Sequence, residues 1–363
     1  MPKAVPAQGG PGPRRSRSKA APAKAAPDSG GDGVPRPRVR KGQLLALATA
    51  FCYALQNLAM RAAGATVDSF VVALFAALPT VLTSIVLTLA DPSRRAKLAA
   101  LWREGPSGRR LLGGLALAGL LGYAVGNPLF VKSLALGGAV IGTPSGNTVV
   151  IWSALLAVLF LGERLGRSAV AGIAIFIGGI VLLAWGQGRG TPVGPAWFWA
   201  VPLGAVAGLC WSAGSVGTRY ALSRRMDAFA VLAVLGGPGL GGILAVAAGA
   251  EHLAAFAGLA AAGPEGHRVL VLMILAGLFN LGAQVTLTLA YSSETVARAS
   301  IISSSSAVIV ALLAWAFLGE TLNPAMVAGI LIVSAGVALV QGRTASGTGV
   351  GYLPNGRKNR RGL

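Results

Sequence analysis

Acidic residues are the first thing this chain is short of. There are 11 Asp and Glu in 363 residues, and charged residues of both signs make up 12%, about half the roughly 25% of a soluble domain. The acids fall in tails, loops and the ends of apolar runs, never in the middle of one. That leaves no intramembrane carboxylate of the kind proton-coupled carriers use as a relay. Cysteine is almost absent too. Cys52 and Cys210 sit inside apolar runs with no Cys or His beside them, so buried inert thiols are expected and a disulfide framework is not. The two histidines, His252 and His267, share one connecting stretch. No phosphate-binding glycine loop, paired catalytic carboxylates or metal-ligand spacing occurs. Neither an enzyme nor a cofactor or metal site is therefore expected.

What the chain has instead is apolar length. Hydrophobic residues make up 54% of it, with 52 glycines, which closely packed membrane helices accommodate. Runs of about 20 apolar residues are read as membrane spans. Ten are predicted, at 43–63, 69–90, 111–132, 139–161, 168–186, 197–221, 228–249, 269–290, 300–318 and 324–341. Residues 251–268 form a long connection, with an apolar middle at Leu253–Ala262 suited to a short interfacial helix. Residues 1–41 and 343–363 are basic tails, and the first lacks the apolar content to fold. All but four of the 31 Lys and Arg lie on one side if the N-terminus is inside; Arg61, Lys132, Arg189 and Arg268 remain on the other. By the positive-inside rule both termini are then cytoplasmic. The bilayer explains the net charge of +20, so no nucleic-acid partner is expected.

The chain contains one phrase twice. Leu161-Gly-Glu-Arg-Leu165 returns as Leu318-Gly-Glu-Thr-Leu322, with Glu163 and Glu320 157 positions apart, each between two apolar runs. A fixed internal period sets the architecture. It divides the chain into two five-helix units, 42–186 and 187–342. Five is odd, so the second unit enters the membrane from the opposite side. An inverted repeat of this kind is the arrangement in which many secondary transporters alternate access to a midplane site. The fold expected is all-α, with ten transmembrane helices as two inverted five-helix repeats.

The paired phrase resembles the drug/metabolite transporter superfamily, in its ten-helix EamA-type branch. The residues that carry the resemblance are Leu161–Leu165 with Gly172, Gly178 and Gly179, and Leu318–Leu322 with Gly329 and Gly336. It spans about residues 43–342. It implies a solute carrier with a central cavity between the halves, in a class associated with amino acids, other metabolites and drugs. The small four-helix multidrug relatives carry a glutamate in their first helix. Here that region reads Tyr53-Ala-Leu-Gln-Asn57, which favours facilitated efflux or exchange over proton coupling.

Polar residues inside spans ask for a reason. In span 8, Asn280, Gln284, Thr288 and Tyr291 lie on one helical face, and in span 3 Tyr123 and Asn127 are four apart. The 157-residue offset maps Tyr123 onto Asn280 and Asn127 onto Gln284. A solute-lining stripe and an interhelical hydrogen-bond seam both fit. Asn147 in span 4, Tyr53 and Asn57 in span 1 and Trp211 in span 6 complete the cavity candidates. Gly126-Asn127-Pro128 marks a helix break, since Pro128 has no N–H. Arg61 and Arg219 are expected to snorkel at helix ends. Glu163 and Glu320 are expected to be structural, each complementing a helix N-terminus at a tight turn. The function expected is a secondary transporter, exporting small solutes across the plasma (inner) membrane as a monomer or homodimer. A non-transporting scaffold or sensor and a lipid-headgroup flippase are the alternatives.

Overall fold

The computed structural model describes residues 41–161, 167–189, 194–293 and 302–342. The tails, Glu163 with its turn, and Glu294 lie outside these residues. Among the described residues every regular element is helical.

Helix α1 runs Lys41–Gly64 and α2 Ser69–Ala90. Helix α3, Pro92–Arg103, forms in what the sequence presented as a cytoplasmic loop. The signal was there: Asp91 accepts from Ser93 N at 2.8 Å and Pro92 takes the first helical turn, an N-cap with proline at N1. Next come α4, Pro106–Gly119, a π-helical turn over Leu120–Gly126, and α5, Asn127–Gly146. Then follow α6, Val149–Leu161, and α7, Arg167–Arg189. The second half begins with a 3-10 turn at Trp197–Trp199. It continues as α8 (Ala200–Ser223), α9 (Ala228–Ala247), α10 (Ala250–Ala261) and α11 (Gly263–Ser293). It ends with α12, Ser306–Leu318, and α13, Pro324–Gly342. The short helix expected in the 251–268 connection is α10, and its Phe256 ring stacks on Phe75 of α2 with centroids 6.0 Å apart.

Among the described residues, seven helical stretches are long and apolar enough to cross a membrane. One of them, Pro106–Ser153, has 48 residues and is interrupted at Gly138, where φ is 73° and ψ 173°. The chain turns there, so this stretch supplies two limbs. Helices α12 and α13 are apolar but shorter. The 13 residues of α12 rise only about 20 Å at 1.5 Å each, against a hydrocarbon core of about 30 Å.

The helices pair in a regular pattern. α7 packs along α13, α1 along α11, α2 along α9, and α8 against both α5 and α6, while α12 packs on α1. The α7–α13 contact is the most extensive. A Cβ at Gly179 would stand 2.7 Å from Val333 N, and one at Gly336 would stand 2.6 Å from Phe176 N. Only glycine lets the two backbones approach this closely, the small-residue packing that holds helices together in lipid. Phe176, Leu183, Met326 and Val333 fill the rest of that interface. Outward faces are apolar as well. Val86, Val181, Leu331 and Phe317 are exposed, as side chains that lipid covers must be.

Candidate functional site

The structure brings four of the sequence's candidates into one neighbourhood. Asn57 of α1, 6% exposed, donates from its amide to Thr143 Oγ1 of α5 at 3.4 Å. One turn on, Asn147 ends α5, and its backbone N–H donates to Thr143 O at 3.1 Å. Between them Gly146 lies against two aromatic rings. A Cβ there would stand 2.6 Å from Phe130 and 3.4 Å from Trp211. Trp211 of α8 donates from its indole N–H to Asn127 Oδ1 at 2.9 Å and to Gly122 O at 3.2 Å. Phe130 meets the same indole edge-on, with centroids 4.9 Å apart.

Local sequence explains why backbone is available here. Pro128 cannot donate to the carbonyl four residues back, so the turn before it widens and Asn127 N reaches Gly122 O. This is the break expected at Gly126-Asn127-Pro128, in the form of a π-bulge, a feature frequent at functional sites. The Asn147 amide nitrogen is buried and has no hydrogen-bond partner among the described residues. So is the side-chain oxygen of Gln56, next to Asn57, whose amide donates weakly to Met60 Sδ at 3.4 Å. Unmet buried polar atoms are rare enough to need a reason. A solute with both donors and acceptors would satisfy one of each.

Two other candidates serve the helix interfaces. Asn280 of α11, 5% exposed, donates to Ala76 O and Thr80 Oγ1 of α2, both at 3.0 Å. Tyr123, 6% exposed, packs into the α9 interface with Leu235 and Leu240. Tyr53 and Gln284 are half-buried, on α1 one turn before Asn57 and on α11 one turn after Asn280.

Glu320 caps a helix N-terminus, though not that of the helix following it. Its carboxylate accepts from Ala139 N at 2.9 Å and Val140 N at 3.2 Å, where the chain restarts as helix after Gly138. It also accepts from Arg61 Nε at 3.1 Å. Arg61 is thus an ion-pair partner, with side chains 16% and 10% exposed, where the sequence reading favoured a snorkelling helix end over an anion-binding role. The Gly137-Gly138 doublet was the available signal. The caps Asp68 and Asp227 were also missed. They accept from Phe70 N at 2.9 Å and Phe229 N at 3.0 Å at the starts of α2 and α9. The recurring Asp-x-Phe was their signature.

A bundle of apolar helices with glycine-mediated crossings, a lipid-facing apolar surface and a broken-helix polar centre defines a multi-pass membrane protein. The EamA-like transporter family profile matches the chain twice, over residues 40–185 and 198–341. The chain belongs to this family, and so to the membrane transporters of the drug/metabolite type. No curated protein matches it. A solved structure, titled only as the crystal structure of a protein, has a TM-score of 0.55 at 17% identity, covering 84% of this chain and 97% of its own. At that identity the likeness concerns the fold.

Proposed function

We propose that the protein is a secondary transporter that exports small polar metabolites, amino acids or drugs across the plasma membrane by alternating access. The site is the cluster of Asn57, Asn127, Asn147 and Trp211, with Tyr53 and Gln284 as walls. The observation that carries this is the unpartnered, buried amide of Asn147, placed where α5 ends beside the π-bulged helix.

Ten spans in two inverted repeats support the mechanism, and two sets of facts support the ten spans. First, the helix contacts come in matched sets. α1 with α11 corresponds to α8 with the π-bulged segment, and α12 with α1 to α6 with α8. Tyr123 packs toward α9 as its counterpart Asn280 packs toward α2. Cys210 adjoins Gly126 as Cys52 adjoins Gly282. Second, three ion pairs and one His–carboxylate contact join distant segments, and each joins residues that the ten-span topology puts on the same side. Arg61–Glu320 and His252–Asp68 fall outside; Arg94–Asp227 and Arg224–Glu104 fall inside. One span miscounted between residues 111 and 221 would separate all four. Both termini are then cytoplasmic.

The test compares extracellular solutes from cells making the wild type with those from cells making Asn127→Ala/Gln284→Ala at equal level. Enrichment of one compound class outside with the wild type alone supports the reading and names the substrate class. Identical profiles for wild type, variant and empty vector across a broad panel count against it.

A further inference from the structure

The Arg61–Glu320 pair borders a cavity of about 220 Å³ that the proposed solute site does not use. It is lined by Arg61, Gln187, Gly319, Glu320, Thr321 and Met326. It therefore lies at the end of the bundle where α1 and α7 finish and the α12–α13 turn passes over.

An inventory of donors and acceptors shows what it would take. A guanidinium has five N–H donors. Arg61 uses Nε on Glu320, and no other hydrogen bond from it occurs among the described residues. Glu320 is occupied on both oxygens: Oε1 accepts from Arg61 and Ala139 N, and Oε2 from Val140 N. Its negative charge is matched by Arg61 and by the positive end of the helix that starts at Ala139. Gln187 is 3% exposed, and its side-chain amide lines the cavity with no hydrogen-bond partner among the described residues. The unmet groups are thus the outer edge of a guanidinium and an amide NH₂. They are donors in excess, with the amide oxygen and the rim hydroxyl of Thr321 as the remaining acceptors.

An acceptor-rich partner fits this set. The planar edge of a guanidinium matches a carboxylate with two parallel hydrogen bonds. Size limits the partner further. The volume of about 220 Å³ is below the 300–1,000 Å³ of pockets for drug-sized ligands.

We propose that this cavity binds a small monocarboxylate, with the Nη edge of Arg61 clamping its two oxygens and the Gln187 amide donating to one of them. The Arg61 Nε–Glu320 bond stays in place, so binding leaves the caps on Ala139 and Val140 intact. The site is independent of the solute cluster and of the transport reading.

The test is saturation-transfer NMR on the purified full-length protein in detergent, reading the methyl groups of lactate and acetate at constant ionic strength. Phosphate and methylammonium serve as the competing anion and the cation control. Saturable transfer is expected for lactate and acetate. Gln187→Leu, which keeps the side-chain bulk and removes the donors, should weaken it about tenfold, the equivalent of about 1.4 kcal/mol. Arg61→Lys keeps the charge and removes the fork, and should weaken it at least as much. Thermal melts of both variants check that they fold. The proposal is overturned by transfer that does not saturate up to about 10 mM, an affinity below millimolar binding energies. It is equally overturned by binding unchanged in folded Gln187→Leu, by competition from phosphate stronger than from acetate, or by methylammonium binding as well as acetate. The readout requires no transport, so its failure leaves the export reading standing, and lost export with intact lactate binding does the reverse.

Discussion

Arg61 and Glu320 are separated by 259 positions in the chain and by 3.1 Å in space. The pair ties the end of α1 to the turn between α12 and α13, and Glu320 extends the tie to the helix restarting at Ala139. Three segments from both halves therefore meet on one carboxylate.

Removing that carboxylate should be costly. Glu320→Ala leaves Arg61 largely buried without its partner and two helix N–H groups uncapped. Breaking a buried pair from one side costs about 3–5 kcal/mol, and the 16% and 10% exposure puts the expected loss near the lower figure. Glu320→Gln, which keeps one acceptor oxygen, should fall between. The Arg61→Gln/Glu320→Gln double variant should lose less than the two single changes added together. Melting temperatures of the wild type, Glu320→Ala, Glu320→Gln, Arg61→Gln and the double variant in detergent check this, and additive losses would show that the two residues are not coupled.

Gly138 should tolerate no replacement. Its φ of 73° with ψ of 173° is a region essentially limited to glycine, and other residues forced into it lose about 1–3 kcal/mol. A Cβ there would also stand 2.8 Å from both Glu320 oxygens. Gly138→Ala is therefore expected to destabilise the protein and to lower export. Gly138→Asn should not rescue it, because asparagine's tolerance of positive φ applies at ψ near +47°. Equal melting of wild type and Gly138→Ala would refute the conformational argument.

These two cases show where sequence reading stops. The role of Glu320, a carboxylate at a helix N-terminus, was legible from Leu318–Leu322. Which helix it caps was not, because Ala139 lies 181 residues away and only the folded bundle brings it near. The Tyr123–Asn280 correspondence was legible from the repeat offset, and the two residues do occupy matching places. That both face a neighbouring helix and not a cavity was not legible, since one polar helical face serves a seam as well as a solute. Asn57, Asn127 and Trp211 could be picked out by residue type within spans. Their meeting depends on Gly146 leaving room for two rings, a relationship across α5 and α8 that no single segment carries. Helix α3 was missed for a different reason. The hydropathy that finds spans passes over a helix with four Lys and Arg in 12 residues, and only its cap announced it.

That cap gives an expectation about pH. Hydrogen bonds from the Ser93 backbone N–H and side chain, more than the nearby Arg94, hold the Asp91 carboxyl below its ordinary value. A lowered folded-state pKa means the contribution is fully present above the unfolded value and is lost as pH falls through the folded one. Amide exchange at the start of α3 should therefore be slow at pH 6 in the wild type and faster in Asp91→Ala. The difference should close only below about pH 3.8, under the ordinary aspartate value. Asp91→Asn, also a good cap, should retain most of the protection and lose its pH dependence. Exchange at these amides that is indifferent to Asp91→Ala at pH 6 would remove the cap from the account.

Trp211 allows the proposed solute site to be probed without dismantling the bundle. Trp211→Phe keeps a ring against Phe130 and Gly146 but removes the N–H that reaches Asn127 Oδ1 and Gly122 O. Leaving a buried acceptor unmet costs about 1–3 kcal/mol. The Asn127 amide can rotate and Gly122 O keeps its bond from Asn127 N, so the lower end of that range is expected in the melting temperature. Export should suffer more than stability, because freeing Asn127 changes the polar surface that the solute meets. Asn147→Leu makes the complementary test: it replaces an unpartnered amide with an apolar side chain of similar size. A residue there for packing alone would become more stable on that change and leave export intact. A residue that meets the solute would also gain stability, since an unmet donor is gone, but export would collapse. Measuring both quantities on both variants therefore separates the roles, and a more stable Asn147→Leu that still exports at the wild-type rate would take Asn147 out of the site.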